Sequence, residues 1–262
     1  PGGSSTPTIT LVGDSTIVAT VGNCGYFLAA DGAVLSTFVM PNPLFTPPVM
    51  VGNTVVFQTA AGQSNPFQGG GMTSAIDVTT KQQLWTAASA GLQTVSPAGF
   101  VLLVTSTSIV ATYARTGEIV WTAPLPSGVQ ALRPPVAINS TTAIFVYNDQ
   151  PDPNAMTHNL NVAFLDIRLT IPTGASRTLR TLSIGRSGNG NYDLVINPIV
   201  TDYGLALVTA NGLFAVDLST GALAWRYDGS CNSATVSGRF AVASCSGIVT
   251  VDVVTGAVQA TT

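Results

Sequence analysis

Ala75-Ile76-Asp77-Val78-Thr79-Thr80-Lys81-Gln82-Gln83-Leu84-Trp85 is a phrase that returns twice with its spacing intact. The other copies run from Ala111 to Trp121 (ATYARTGEIVW) and from Ala215 to Trp225 (AVDLSTGALAW). A degenerate copy, Thr250 to Ala260 (TVDVVTGAVQA), keeps Asp252, Thr255 and Gly256 but ends on alanine. Repetition on this scale means stacked or radially arranged copies of one supersecondary unit.

Each phrase reads as a β-hairpin with an anchor at its far end. In the third copy, Leu213–Leu218 is a strand, Ser219-Thr220-Gly221 a turn and Ala222–Trp225 the returning strand. Asp and Thr side chains bond backbone groups of such turns, and glycine takes positive φ without a Cβ penalty. Lys81 stands in the glycine slot of the first copy, which predicts a slightly different turn there. Trp85, Trp121 and Trp225 are the largest apolar side chains available to pack one unit on the next, and each indole N–H wants one partner.

Two further strands precede each hairpin. Pro48–Val51, a turn at Gly52-Asn53 and Thr54–Thr59 lead into the first copy. The pair recurs at Pro7–Leu11 with Thr16–Val21, at Pro135–Ile138 with Ala143–Tyr147, and at Pro198–Val200 with Leu205–Thr209. The unit is therefore four antiparallel strands, a to d. Residues 1–6 read as a linker, and six units follow at about 7–40, 41–87, 88–125, 126–186, 187–229 and 230–262. Four-stranded units repeating at roughly 40 residues are blades of an all-β β-propeller, and six lies in the range that closes a ring. A solenoid or a pair of sandwiches is the alternative. The first unit has its own strand a and the last its own strand d, so closure rests on noncovalent packing or on blades from other sequence.

The Ala-x-Asp-x-x-Thr-Gly-x-x-x-Trp phrase resembles the tryptophan-docking repeat of quinoprotein-like propellers. That family includes pyrroloquinoline-quinone (PQQ) alcohol dehydrogenases and PQQ-like repeat proteins that bind no quinone. The resemblance is strong in units two, three and five, partial in six and weak in one and four. It implies that Trp85, Trp121 and Trp225 dock adjacent blades, and it carries over no catalytic residue. The dehydrogenases hold a hard cation with Glu, Asn and Asp, use an Asp base, and often carry adjacent cysteines. This chain has no Cys-Cys pair, and its one glutamate, Glu118, falls in a strand c to d turn. A hard cation needs several converging oxygens and a base needs a positioning partner. The expectation is a non-catalytic member with no cofactor.

Other chemistry finds little support. One histidine and three widely spaced cysteines give no zinc pattern. Gly69-Gly70-Gly71 lacks the lysine and helix of a phosphate loop. Asp149–Asn154 lacks the glycine and distal acid of a calcium loop and reads as a solvated turn. Charged residues make up 8% of the chain, with net charge −3 and pI near 4.8, which argues against nucleic acid or an anionic membrane as partner. Mean hydropathy is +0.41, yet the most apolar stretch, Phe100–Tyr113, is broken by Thr105–Ser108 and reads as two strands, so no membrane insertion is expected.

The longest connections, Met40–Thr46, Ala60–Thr73, Pro124–Arg133, Asn148–Asn159 and Gly185–Asp193, are all b to c or d to a segments and open on one propeller face. Loops on a rigid scaffold carry function, so this face is the candidate binding surface. Phe67, Met72, Arg133, Met156, His158, Arg186 and Tyr192 are its contact-capable side chains. Cys231 and Cys245 fall on one blade and are expected to form a disulfide, which implies an oxidising, extracellular or cell-surface location; Cys24 is left over. Asn139-Ser140-Thr141 is a sequon on an a to b turn and a glycosylation candidate in a eukaryotic source. Together these features predict an interaction or assembly module of a larger surface or secreted protein, with protein partners or other segments of that assembly. The alternative is a ligand sensor or PQQ-type oxidoreductase using the central pocket of the long-loop face.

Overall fold

The chain is seen in a computed structural model that describes residues 8–12, 16–40, 48–59, 72–88, 92–95, 99–105, 107–125, 129–131, 135–149, 157–170, 176–188, 198–210 and 212–262. These residues form twenty-five strands and no helix. The first sheet holds β1 (Thr8–Val12), β2 (Thr16–Val21), β3 (Cys24–Ala29) and β4 (Val34–Val39). The second holds β5 (Val49–Val51), β6 (Thr54–Thr59), β7 (Met72–Asp77) and β8 (Gln83–Ala88). The third holds β9 (Leu92–Val95), β10 (Phe100–Val104), β11 (Ser108–Tyr113) and β12 (Ile119–Pro124). The fourth holds β13 (Val129–Ala131), β14 (Val136–Ala137), β15 (Thr142–Asp149), β16 (Thr157–Asp166) and β17 (Thr178–Gly188). The fifth holds β18 (Ile199–Val200), β19 (Leu205–Thr209), β20 (Leu213–Asp217) and β21 (Leu223–Tyr227), and the sixth β22 (Ser233–Ser237), β23 (Phe240–Ser244), β24 (Ile248–Asp252) and β25 (Val258–Thr261). Each is an antiparallel meander, the architecture of a propeller blade.

The fourth blade departs from the sequence expectation. Its strand a comes in two pieces, β13 and β14, which pair with opposite ends of β15. Residues 129–131, assigned above to a connection, are therefore strand. The long β16–β17 ladder likewise takes in His158 and Arg186, so both lie on paired strands instead of loops.

Two compact units, Pro1–Leu125 and Pro126–Thr262, carry three blades each. In the first, β6 is buried on both faces because its neighbours alternate. Val55 and Phe57 pack with Val18, Phe27 and Met40 of blade one, while Val56 packs with Val101 and Leu103 of blade three. In the second unit, Ala206, Val208, Phe214 and Val216 pack on Ile144, Val162 and Phe164 of blade four. Leu205, Leu207 and Leu213 pack the other way, on Ala241, Ala243, Val249 and Val251 of blade six. A strand covered on both sides carries an unbroken apolar run, which is why LALVT (205–209) and FVLLV (100–104) do not alternate.

One irregularity recurs in all six blades. The ladder between strands c and d slips by one residue at the same place, after Phe27, Ala75, Ala111, Phe164, Ala215 and Thr250. The residue paired there on strand d is Ser36, Trp85, Trp121, Arg180, Trp225 or Ala260. A bulge twists the strand and re-aims the neighbouring side chain. Here it stands directly beside the position that docks one blade on the next.

Candidate functional site

The c to d turns of blades two, five and six are built on one plan. Asp77 Oδ1 accepts the backbone N–H groups of Thr79 and Thr80, both at 2.9 Å. Asp217 does the same for Ser219 and Thr220, and Asp252 for Val254 and Thr255. Lys81, Gly117, Gly221 and Gly256 then each donate their N–H to the carbonyl four residues back. Lys81 has φ 61°, beside 74°, 71° and 73° for the glycines, so its turn is the same turn and not the different one its side chain suggested.

The hydrogen bonds that form these caps hold the carboxylates in their charged state. Asp217 is lowered from 3.8 to about 2, first by the Ser219 hydroxyl and then by the Thr220 N–H and hydroxyl. Asp77 and Asp252 are lowered chiefly by the N–H groups of Thr80 and Thr255. Asp166, in the longer turn of blade four, is lowered chiefly by the Arg168 guanidinium. These four carboxylates work as turn staples, an occupation remote from acid–base chemistry.

The turns also receive the preceding blade. Trp85 Nε1 donates to Ala114 O at 2.7 Å and Trp225 Nε1 to Val253 O at 2.8 Å, in each case the carbonyl just after the staple position. Their rings lie over Gly117 and Gly256, where an added Cβ would come within 2.8 Å and 2.7 Å of indole carbons. Blade four has Arg180 at the tryptophan position. Its guanidinium donates to Leu218 O at 2.6 Å and Ser219 O at 2.8 Å, stacks 4.0 Å from the Phe164 centroid and covers Gly221. Arg180 thus performs the tryptophan's two tasks, donating to the same carbonyl and capping the same glycine. Blade one has only Ser36 there, and the turn facing it carries Lys81, whose ammonium bonds Val78 O and lies 4.5 Å from the Phe27 centroid.

The third turn breaks the plan, because Tyr113 replaces the stapling aspartate. Between blades two and three, a cleft of about 480 Å³ opens beside it, lined by Val51, Gly52, Asn53, Thr54, Gly99, Tyr113, Ala114, Arg115, Thr116 and Glu118. This cleft lies among the a to b and c to d turns, on the opposite face from the long connections.

Of the long-face candidates, only Met72 has a described side chain; it is half-buried at the start of β7, and its carbonyl accepts from Thr59 Oγ1. Phe67, Arg133, Met156 and Tyr192 lie outside the described residues, as do the side chains of His158 and Arg186. Two buried amides stand next to that face. Gln58 and Asn148, each 1% exposed, sit at the ends of β6 and β15 that lead into residues 60–71 and 150–156. Neither side-chain amide has a hydrogen-bond partner among the described residues. Their trace in the sequence is a polar pair closing the apolar run of a strand, Gln58-Thr59 after Phe57 and Asn148-Asp149 after Tyr147.

Cys231 and Cys245 form a disulfide spanning fourteen residues, with Cys231 fully buried in the core shared by blades five and six. Cys24 is a free thiol at the start of β3. Asn139 is exposed, and its Oδ1 accepts from Thr141 N, Thr141 Oγ1 and Thr142 N. Among the described residues no helix is long and apolar enough to cross a membrane, and no three His, Cys, Asp or Glu side chains converge as metal ligands.

Residues 4–123 match the family model described as Outer membrane protein assembly factor BamB. The chain is a β-propeller whose first three blades match a PQQ-like repeat family. Among solved structures, hydrazine synthase of Kuenenia stuttgartiensis is similar to this propeller, with a TM-score of 0.60 and 15% identity over 94% of this chain and 76% of that one. At that identity the likeness is one of fold. No curated protein matches the propeller's sequence.

Proposed function

We propose that this propeller is a non-enzymatic interaction or assembly module of a larger surface or secreted protein, and that it binds its partner through the long-loop face. The buried amides of Gln58 and Asn148 carry the reading. A buried amide left without a partner is destabilising, and neither has one among the described residues, so a polar group from outside them is expected to pair with each. Both stand at the mouths of the two longest b to c connections, where a partner's backbone or side chain would meet them. The matched family's name, that of an assembly factor, is consistent with such a role. The Cys231–Cys245 disulfide favours an oxidising compartment, and a glycan on Asn139, in a eukaryotic source, would leave the long-loop face clear.

The test has two arms. Titration with PQQ and Ca²⁺, followed by absorbance and by dye-linked alcohol oxidation, is expected to show neither saturable binding nor turnover. Cross-linking in the native compartment is expected to join a protein partner through residues 60–71 or 150–156, and Gln58→Leu is expected to weaken that complex while leaving the fold intact. Quinone binding with turnover, or partner contacts confined to the short-turn face, would sink the reading.

A further inference from the structure

We infer that the third c to d turn is a receptor for a carboxylate supplied from outside the chain, the side chain of an aspartate or glutamate on a partner polypeptide. The argument starts from the comparison of sibling turns. In three of them one aspartate oxygen accepts two successive backbone N–H groups, at positions two and three after the aspartate. In the turn after Tyr113 the same positions are Arg115 and Thr116, and their N–H groups have no acceptor among the described residues. The remainder of the turn is unaltered. Gly117 N–H donates to Tyr113 O at 2.9 Å with φ 74°, and Tyr113 N–H donates to Glu118 O. Two convergent donors are therefore held in the geometry that binds a carboxylate three times elsewhere in this molecule.

The surroundings supply room and charge. The two N–H groups belong to residues lining the cleft of about 480 Å³, space for an acidic side chain together with the chain that bears it. Arg115 lines the same cleft and forms no salt bridge among the described residues. Two acidic groups oppose an anion: Glu118, on the cleft wall, and Asp77, which feels the charge of Arg115 but is already engaged by its own turn. Glu118 restricts the site to a singly charged carboxylate offered beside the two N–H groups, because a more highly charged anion would meet greater repulsion. This inference is independent of the long-loop face.

The site can be filled from within. Tyr113→Asp restores the staple of the sibling turns, so it should raise the melting temperature while abolishing binding. Amide ¹H–¹⁵N spectra of the full chain are recorded against the peptide acetyl-Gly-Asp-Gly-amide, its Asn counterpart, and acetate. The Asp peptide is expected to shift the Arg115 and Thr116 amides saturably, at concentrations about tenfold lower than the Asn peptide, since charge-assisted bonds to N–H are the stronger ones. Arg115→Gln should weaken that binding, and Tyr113→Asp should remove it with the rest of the spectrum unchanged. The inference is overturned if those two amides do not move, if the Asn peptide or free acetate equals the Asp peptide, or if Tyr113→Asp still binds.

Discussion

Lys81 is the one non-glycine at positive φ among the described residues, in a slot filled by glycine in three sibling turns. Left-handed backbone costs a side-chain-bearing residue about 1 kcal/mol, and the ammonium over Phe27 returns roughly 0.5–1 kcal/mol. Lys81→Gly removes both the strain and the contact and should leave stability within about 0.5 kcal/mol, whereas Lys81→Ala keeps the strain and should lose about 1 kcal/mol. Urea unfolding of the pair separates them; equal losses would mean that the backbone is unstrained. The stapling aspartates make a second prediction. The Asp217 carboxyl lies lower in the folded chain, about 2 against the usual 3.8, so its stabilisation is complete above the unfolded value and fades as pH falls through the folded one. Asp77, Asp166 and Asp252 shift in the same direction. The melting temperature should therefore fall steeply from about pH 4 to pH 2, and Asp217→Asn, which can still accept the two N–H bonds, should flatten that fall.

At the scale of elements, the seams between blades decide what can be replaced. Trp225→Ala removes both the packing over Gly256 and the bond to Val253 O, and should cost about 3 kcal/mol. Arg180→Trp should be tolerated, because the bulge already aims that position at Leu218 O and Gly221. Arg180→Lys should destabilise almost as much as Arg180→Ala, since a point charge cannot reach two carbonyls and stack on Phe164 together. Thermal melts of the three variants test this, and a stable Arg180→Lys would refute the surrogate role. The hairpin, its turn and its anchoring tryptophan were legible in the repeated phrase because all three are local. Arg180 was not, because a cationic side chain in place of an indole leaves no trace in a tryptophan pattern; only the strand register equates them. The divided strand a of blade four escaped for a similar reason, since three residues pairing with a distant β15 carry no periodicity of their own.

Across the whole molecule, the blade plan was legible and the binding surface much less so. Four apolar runs per unit, separated by turn residues, dictate antiparallel sheets, whereas the long connections have composition without pattern. The cleft beside Tyr113 leaves no positive mark in the phrase, because its meaning lies in the aspartate that this copy lacks. The disulfide contributes at this scale by closing a loop of about 15 residues, worth about 3 kcal/mol in the chain-entropy view. Reduction, or Cys245→Ser, should lower the melting temperature and release blade six before the others, readable as early amide exchange at β22–β25. Uniform loss of protection across all sheets would show that the bridge is not a local clamp.

The seam partners also fix the order in which the repeats can follow one another. Trp85, Arg180 and Trp225 are each answered by glycine, and the small Ser36 is answered by Lys81. If the second and fifth blades changed places, Lys81 would meet Arg180, cation against cation in an overfilled gap, while Gly221 would face Ser36 across a hole. Recombination among these outwardly alike repeats is therefore productive only when the cut carries an outer strand together with the turn that receives it. The heritable module is not the blade but the junction between two.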